Sequence, residues 1–125
     1  MKMIRQLLKS FSHALRGVRV VFTHEQNFRI QVVAAAVVVF FGTWFGVKRN
    51  EWIVLLLLIA AVLGLELMNA IIERLADAFK PRLHPIIKEV KDMMAATVLL
   101  VSFIAAIIGV IIFYPYLAPL VGLGA

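Results

Sequence analysis

Long apolar runs separated by short polar breaks set the plan of this chain. Three runs, 28–47, 52–72 and 93–114, are each close to the roughly 20 residues needed to cross a ~30 Å hydrocarbon core. Residues 2–22 follow a different rule. Ile4, Leu7, Leu8, Phe11, Leu15, Val18, Val21 and Phe22 recur at helical spacing, while Lys2, Arg5, Lys9, Ser12, Arg16 and Arg19 lie off that stripe. This predicts a basic amphipathic helix lying in a membrane interface. A polar break at 23–27 separates it from the first span, and the 48–51 turn is short enough to make the first two spans antiparallel neighbours. Trp44 and Trp52 flank that turn as an aromatic belt would. Pro81 and Pro85 are expected to interrupt any helix in the polar segment 74–92, and Pro115 and Pro119 to end the third span. The expected fold is all-α and integral to the membrane: a surface helix plus three transmembrane helices, one domain over residues 1–125.

Composition supports this and removes other classes. The chain is 63% hydrophobic, against about 45–50% apolar in an average soluble domain. With no cysteine it has no disulfide and no thiolate metal site. Lys and Arg outnumber Asp and Glu 13 to 7, for a net charge of +6. That excess is divided between the two segments 2–22 and 74–92 rather than gathered on one stripe, so it reads as topology and anionic-lipid contact, not nucleic-acid binding. The positive-inside rule puts both segments in the cytoplasm, with the 48–51 turn and the C-terminus outside. No cleavable signal peptide is expected, because Lys9, Arg16 and Arg19 interrupt the first apolar-rich stretch.

One feature breaks the pattern. Into the end of the second run the sequence places Glu66, Asn69, Glu73 and Asp77. At about 100° per residue they fall within an arc of roughly 80°, with Glu66 and Glu73 roughly 10 Å apart along the axis. An ionisable residue within a span is a functional-site hypothesis by default. With the expected topology, Glu25, Glu66, Glu73, Asp77, Glu89 and Asp92 all gather toward the cytoplasmic face. Carboxylates without thiols select hard cations, Mg²⁺ first, and Mg²⁺ usually takes one or two carboxylates and leaves positions for phosphate oxygens. Lys91 suits a phosphate as a point charge. Glu66, deepest in the apolar run, suits a general base for a hydroxyl arriving from the bilayer. The pattern predicts phosphoryl transfer, with the nucleotide on the wet side and a lipid alcohol on the dry side. The competing reading is a non-enzymatic small scaffold or transporter subunit, in which Glu66 pairs with a basic residue in a partner's span. Neither GxGxxG nor GxxxxGK[ST] is present, which excludes the common soluble nucleotide folds.

The residues from Glu66 to Glu73, followed by Asp77, resemble the E-x-x-N-[ST]-A-[IV]-E-x-x-x-D motif of the bacterial diacylglycerol kinase family, which includes undecaprenol kinases. Lys91 to Val98 resembles its A-K-D-x-A-A-G-A-V motif, Glu25 to Arg29 its E-x-N-F-R, and Phe11, Ala14 and Gly17 the F-x-x-A-x-x-G of its first helix. The resemblance implies a homotrimer with active sites shared between subunits in the bacterial cytoplasmic membrane. It implies transfer of the γ-phosphate of ATP, with Mg²⁺, to a lipid hydroxyl. Carried over by motif, Glu66 is the general base, Glu25 and Glu73 hold the metal with the nucleotide phosphates, and Asn69, Lys91 and Asp92 complete the site. Lys91 and Asp92 lie near the nucleotide, and His13 and His84 near the adenine; Asp77 is a supporting residue. Ala70 and Ile71 stand in place of Ser/Thr-Ala, and His13 where Tyr is common. The Glu25–Arg29 stretch, the Glu51-Trp52 pair and His84-Pro85 look more like the undecaprenol branch of the family than the diacylglycerol branch, and the acceptor is left open between the two.

Overall fold

A computed structural model describes residues 1–79 and 84–123, apart from the side chain of His84. It contains four α-helices: α1 (Lys2–His24), α2 (Gln26–Phe45), α3 (Arg49–Phe79) and α4 (His84–Leu117). Three of them, α2, α3 and the stretch Pro85–Leu117 of α4, are long and apolar enough to cross a membrane. α3 and α4, at 31 and 34 residues, extend to roughly 47 and 51 Å, well beyond the ~30 Å of a hydrocarbon core.

A single residue, Glu25, separates α1 from α2. Its extended backbone (φ −113°, ψ 109°) turns the chain, while its N–H still donates to Val21 O at 2.8 Å. Arg29, one turn into α2, reaches back and donates to the carbonyl oxygens of Phe22 and Thr23 at 2.8 and 2.9 Å. Those are the carbonyls that the end of α1 leaves without helical partners. Only Val21 of α1 is buried, against Phe28 of α2 and Ala70 of α3. The apolar stripe of α1, including Leu7, Leu8 and Phe11, lies uncovered.

The other end of the bundle is tightly made. Gly46 takes the left-handed conformation (φ 62°, ψ 50°) that ends a helix without steric cost, and Val47 N–H returns to Gly42 O at 3.1 Å. Trp52 packs its indole on Gly42 so closely that a Cβ there would fall 2.7 Å from the ring. The sequence placed Trp52 in an interfacial belt; here it joins a packed contact between α2 and α3, while Trp44 is 70% exposed. Lys48 N–H donates to Glu51 Oε1 at 2.9 Å, and Tyr116 Oη donates to the same oxygen at 2.6 Å, tying α4 to the turn. Phe45 stacks on Tyr116 and leans on Phe113, with ring centroids 5.7 and 6.2 Å apart.

The prolines meet the expectation in part. No continuous helix runs through 74–92 among the described residues: α3 ends at Phe79, and α4 begins at His84 with Pro85 in its first turn, where a missing N–H breaks no helical bond. Pro115 lies inside the helix, which continues to Leu117. Proline forfeits one hydrogen bond there but has the φ a helix needs, and the next turn closes through Ala118 N–H to Tyr114 O at 2.9 Å. Pro119 follows the helix end. Pro81 lies outside the described residues.

Candidate functional site

The site is assembled at the hinge between α1 and α2 and on the facing turns of α3. Glu66 is 2% exposed, the one buried charged side chain among the described residues. Gln31, from α2, donates through Nε2 to Glu66 Oε2 at 3.4 Å, a long bond. Asn69, about one turn further along α3, presents its amide beside the same carboxylate, and Glu25 and Glu73 are its charged neighbours. Val21, Phe28 and Ala70 form the apolar wall next to it, with Leu63 and Leu67 packed behind. The alanine that replaces the usual hydroxyl residue is thus 1% exposed against α1 and α2, while Ile71 points away at 55% exposure.

The Gln31–Glu66 contact fixes the register of α2 on α3. Six residues back from Gln31 is Glu25, and six on from Glu66 is Ile72, the neighbour of Glu73. Glu25 and Glu73 therefore lie at one level, roughly 10 Å from the level of Glu66, where the chain emerges from its most apolar part. Both are partly exposed, so that level is open to water and to a ligand.

Asp77 and Lys91 form an ion pair at 3.1 Å between α3 and α4, with the side chains 63% and 34% exposed. Among the described residues it is the one ion pair. Lys91 is therefore placed against Asp77, and Asp77 makes a contact with the near end of α4 that its position on the stripe did not suggest. Asp92 is exposed, next to Lys91. His13 is exposed on α1, twelve residues before the hinge, or roughly 18 Å along the helix, and nothing among the described residues brings it to the carboxylates. His84 opens α4, but its side chain is outside the described residues.

No group of three or more His, Cys, Asp or Glu side chains poised to enclose a metal occurs among the described residues. The donor set that is present, two partly exposed carboxylates at one level, Glu25 at the hinge and Glu73 on α3, fits a hard divalent cation held jointly with phosphate oxygens rather than an all-protein cage.

The sequence suggested no role for Gln31, and for Arg29 none beyond its place in the Glu25–Arg29 motif. Both had a readable signal, being polar interruptions of an apolar run. Their partners had none: a carboxylate on another helix and the carbonyls at the end of α1 depend on tertiary register.

A model of the prokaryotic diacylglycerol kinase family matches residues 12–113. The chain is 36% identical over 114 residues to the undecaprenol kinase of Bacillus subtilis, covering 91% of this chain and 93% of that one. It is 26% identical to the diacylglycerol kinase of Escherichia coli K12, with 82% and 84% covered. It is 32% identical to that of a Synechocystis species, with 91% and 66% covered. Glu25, Glu66, Asn69, Glu73, Asp77 and Lys91 all fall inside the matched region. A buried carboxylate, two further carboxylates at a hinge and three membrane-length helices thus belong to a chain that is a member of the prokaryotic diacylglycerol kinase family, and so a membrane lipid kinase.

Proposed function

We propose that this protein transfers the γ-phosphate of ATP to the hydroxyl of a membrane lipid at the cytoplasmic face of the bacterial inner membrane, with Mg²⁺, as a homotrimer. The observation that carries the reading is Glu66, a carboxylate buried in a span without a cationic partner among the described residues, with two more carboxylates one level above it. In this reading Glu66 takes the proton of the acceptor hydroxyl as the new O–P bond forms and the bond from the γ-phosphorus to the leaving ADP oxygen breaks. Gln31 and Asn69 hold the Glu66 carboxylate in place. Glu25 and Glu73 would hold Mg²⁺, which when bound would neutralise charge on the phosphates. Lys91 and Asp92 serve the nucleotide from α4, with Asp77 setting the Lys91 position; His13 and His84 are assigned to the adenine.

Three observations support the remaining parts. The uncovered apolar stripe of α1, with its basic opposite face, suits a helix lying in the interface with its N-terminus in the cytoplasm. Met68, Ile71 and Leu75, flanking the carboxylate stripe, are more than half exposed in a single copy, which suits a site completed by a neighbouring subunit. An apolar groove of about 630 Å³ runs between α2 and α4 over α3, from Gln31 to Phe113, and suits the hydrocarbon of the acceptor. For the acceptor itself, the 36% identity to an undecaprenol kinase favours a polyprenol over a diacylglycerol.

The test is the purified chain in detergent with labelled ATP, offered undecaprenol and a diacylglycerol side by side. Labelled lipid phosphate from undecaprenol in excess over diacylglycerol is expected. Transfer to neither, under conditions where a related kinase works, would refute the kinase reading; preference for diacylglycerol would refute the acceptor.

A further inference from the structure

The groove that suits the acceptor is apolar, yet it contains two polar atoms that the protein itself does not satisfy. Gln31 Oε1 and Ser102 Oγ are the buried side-chain atoms without a hydrogen-bond partner among the described residues, and both residues line this groove. Among the described residues Ser102 Oγ is the one buried hydroxyl without a partner, and it also lacks the bond that the threonines of these helices make. Thr23, Thr43 and Thr97 each donate to the carbonyl four residues earlier, at 2.7, 2.9 and 2.9 Å, the ordinary way a helical hydroxyl is satisfied in an apolar setting. Ser102 does not. Leaving a buried hydroxyl unpaired costs about 1–3 kcal/mol.

The depth of Ser102 gives this meaning. α3 and α4 run antiparallel and are tied near both ends, Glu51 to Tyr116 and Asp77 to Lys91. Glu66 is eleven residues along α3 from Asp77, and Ser102 is eleven residues along α4 from Lys91. Counted from the other tie, Glu66 is fifteen residues from Glu51 and Ser102 fourteen from Tyr116. Leu55 and Ile112, packed in one cluster, confirm the register between them. Ser102 is therefore level with Glu66, and Gln31 is bonded to Glu66 from the third helix. Gln31, Glu66 and Ser102 make one polar layer across three helices, at the carboxylate end of the groove.

We propose that Ser102 is an acceptor-binding residue: its hydroxyl and the Gln31 amide oxygen hold the alcohol group of the lipid between α4 and α2, in front of Glu66. A lipid alcohol is both donor and acceptor, and so are the two positions together: the amide oxygen accepts, and the serine hydroxyl donates or accepts after a turn about χ1. The proposal rests on the lipid-kinase reading. It adds a contact from α4 and explains why the hydroxyl at this depth is not spent on its own helix.

The experiment compares wild type with Ser102→Ala and Ser102→Thr as full-length protein in detergent. In steady-state assays Ser102→Ala should raise the acceptor KM about tenfold, the loss of one buried hydrogen bond, with the ATP KM unmoved; Ser102→Thr, which keeps the hydroxyl, should recover most of it. A second readout uses no ATP. Undecaprenol should raise the Tm of wild type and raise that of Ser102→Ala less, while the acceptor-free Tm of Ser102→Ala is unchanged or higher. An acceptor KM and a lipid-induced Tm rise both equal to wild type would overturn the proposal. So would a fall in acceptor-free Tm together with a smaller oligomer, which would place the hydroxyl in a contact between copies. Wild type that phosphorylates neither undecaprenol nor a diacylglycerol defeats the kinase reading, and the ATP-free comparison still decides Ser102.

Discussion

Glu51, at the turn end of α3, accepts hydrogen bonds from Tyr116 Oη and Lys48 N–H at 2.6 and 2.9 Å, whereas Glu66, deeper in the same helix, has a long bond of 3.4 Å from Gln31 and the Asn69 amide beside it. Around Glu51 the aromatic rings of Phe45, Phe113 and Tyr116 pack together and Trp52 closes on Gly42. Around Glu66 lie Asn69, two further carboxylates and the mouth of a groove. One end satisfies its carboxylate and so gains a fixed geometry. The other keeps a carboxylate buried with side-chain amides and, among the described residues, no cation beside it, which is expensive for a fold and suited to moving a proton. The bundle is thus tightly bonded at one end and carries its buried charge toward the other.

The sharpest way to break this contrast is Glu66→Gln. If Glu66 is the base, kcat should fall by about 10²–10⁴, with the Tm unchanged or raised because a buried charge has been replaced by a neutral amide of the same shape. Near-normal turnover would remove Glu66 from the chemistry, and a collapse in Tm would make it structural. A smaller effect is expected at the level above. Glu73→Gln should raise the Mg²⁺ concentration needed for half-maximal rate on the order of tenfold, measured by magnesium titration at saturating ATP; an unchanged titration curve counts against the metal assignment.

The contrast between the ends also explains how much was legible in the sequence. The helices and their order followed from apolar runs of membrane length, and the carboxylate stripe followed from spacing on one helix, because both depend on residues near each other in the chain. The ends of α4 did not follow. Proline's penalty depends on whether a helical N–H was needed, and it was needed neither in the first turn, at Pro85, nor enough in the last, at Pro115, to stop the helix. Asp77, which seemed the weakest member of the stripe, acquired a partner only through the antiparallel register of α3 and α4. Ser102 was invisible for the same reason: a lone serine in an apolar run becomes notable only when it proves level with Glu66.

The turn end makes its own predictions. Gly42→Val should destabilise the protein by about 1–3 kcal/mol, since the first atom of any side chain there falls 2.7 Å from the Trp52 ring. The readout is the midpoint of denaturant unfolding in detergent. A midpoint equal to that of wild type would mean that Trp52 swings free and that this end is looser than its contacts indicate. Tyr116→Phe, which keeps the stacked ring and deletes only the bond to Glu51, should lower the Tm less than Gly42→Val while leaving kcat at saturating substrates unchanged. A large loss of kcat would show that the two ends are mechanically coupled.

The smallest expected effect belongs to the ion pair between α3 and α4 near the carboxylates. Lys91 and Asp77 are both more than a third exposed or close to it, so water and salt screen them and the pair contributes about 0–1 kcal/mol to stability. Asp77→Asn should therefore leave the Tm almost unmoved. Its consequence should appear in the nucleotide instead: without the carboxylate, the Lys91 ammonium is no longer held at 3.1 Å from α3 and reaches the phosphates by chance rather than by placement. A rise of a few-fold in the ATP KM is expected, roughly the 1 kcal/mol or less that such a placement supplies, and it should shrink as ionic strength rises and the pair is screened in wild type as well. Lys91→Met tests the other half. If Lys91 serves the nucleotide, it should raise the ATP KM more than Asp77→Asn does, and the double variant should be no worse than Lys91→Met alone. Additive effects would mean that Asp77 acts on the site by a route other than Lys91, and equal, negligible effects would confine the pair to joining two helices.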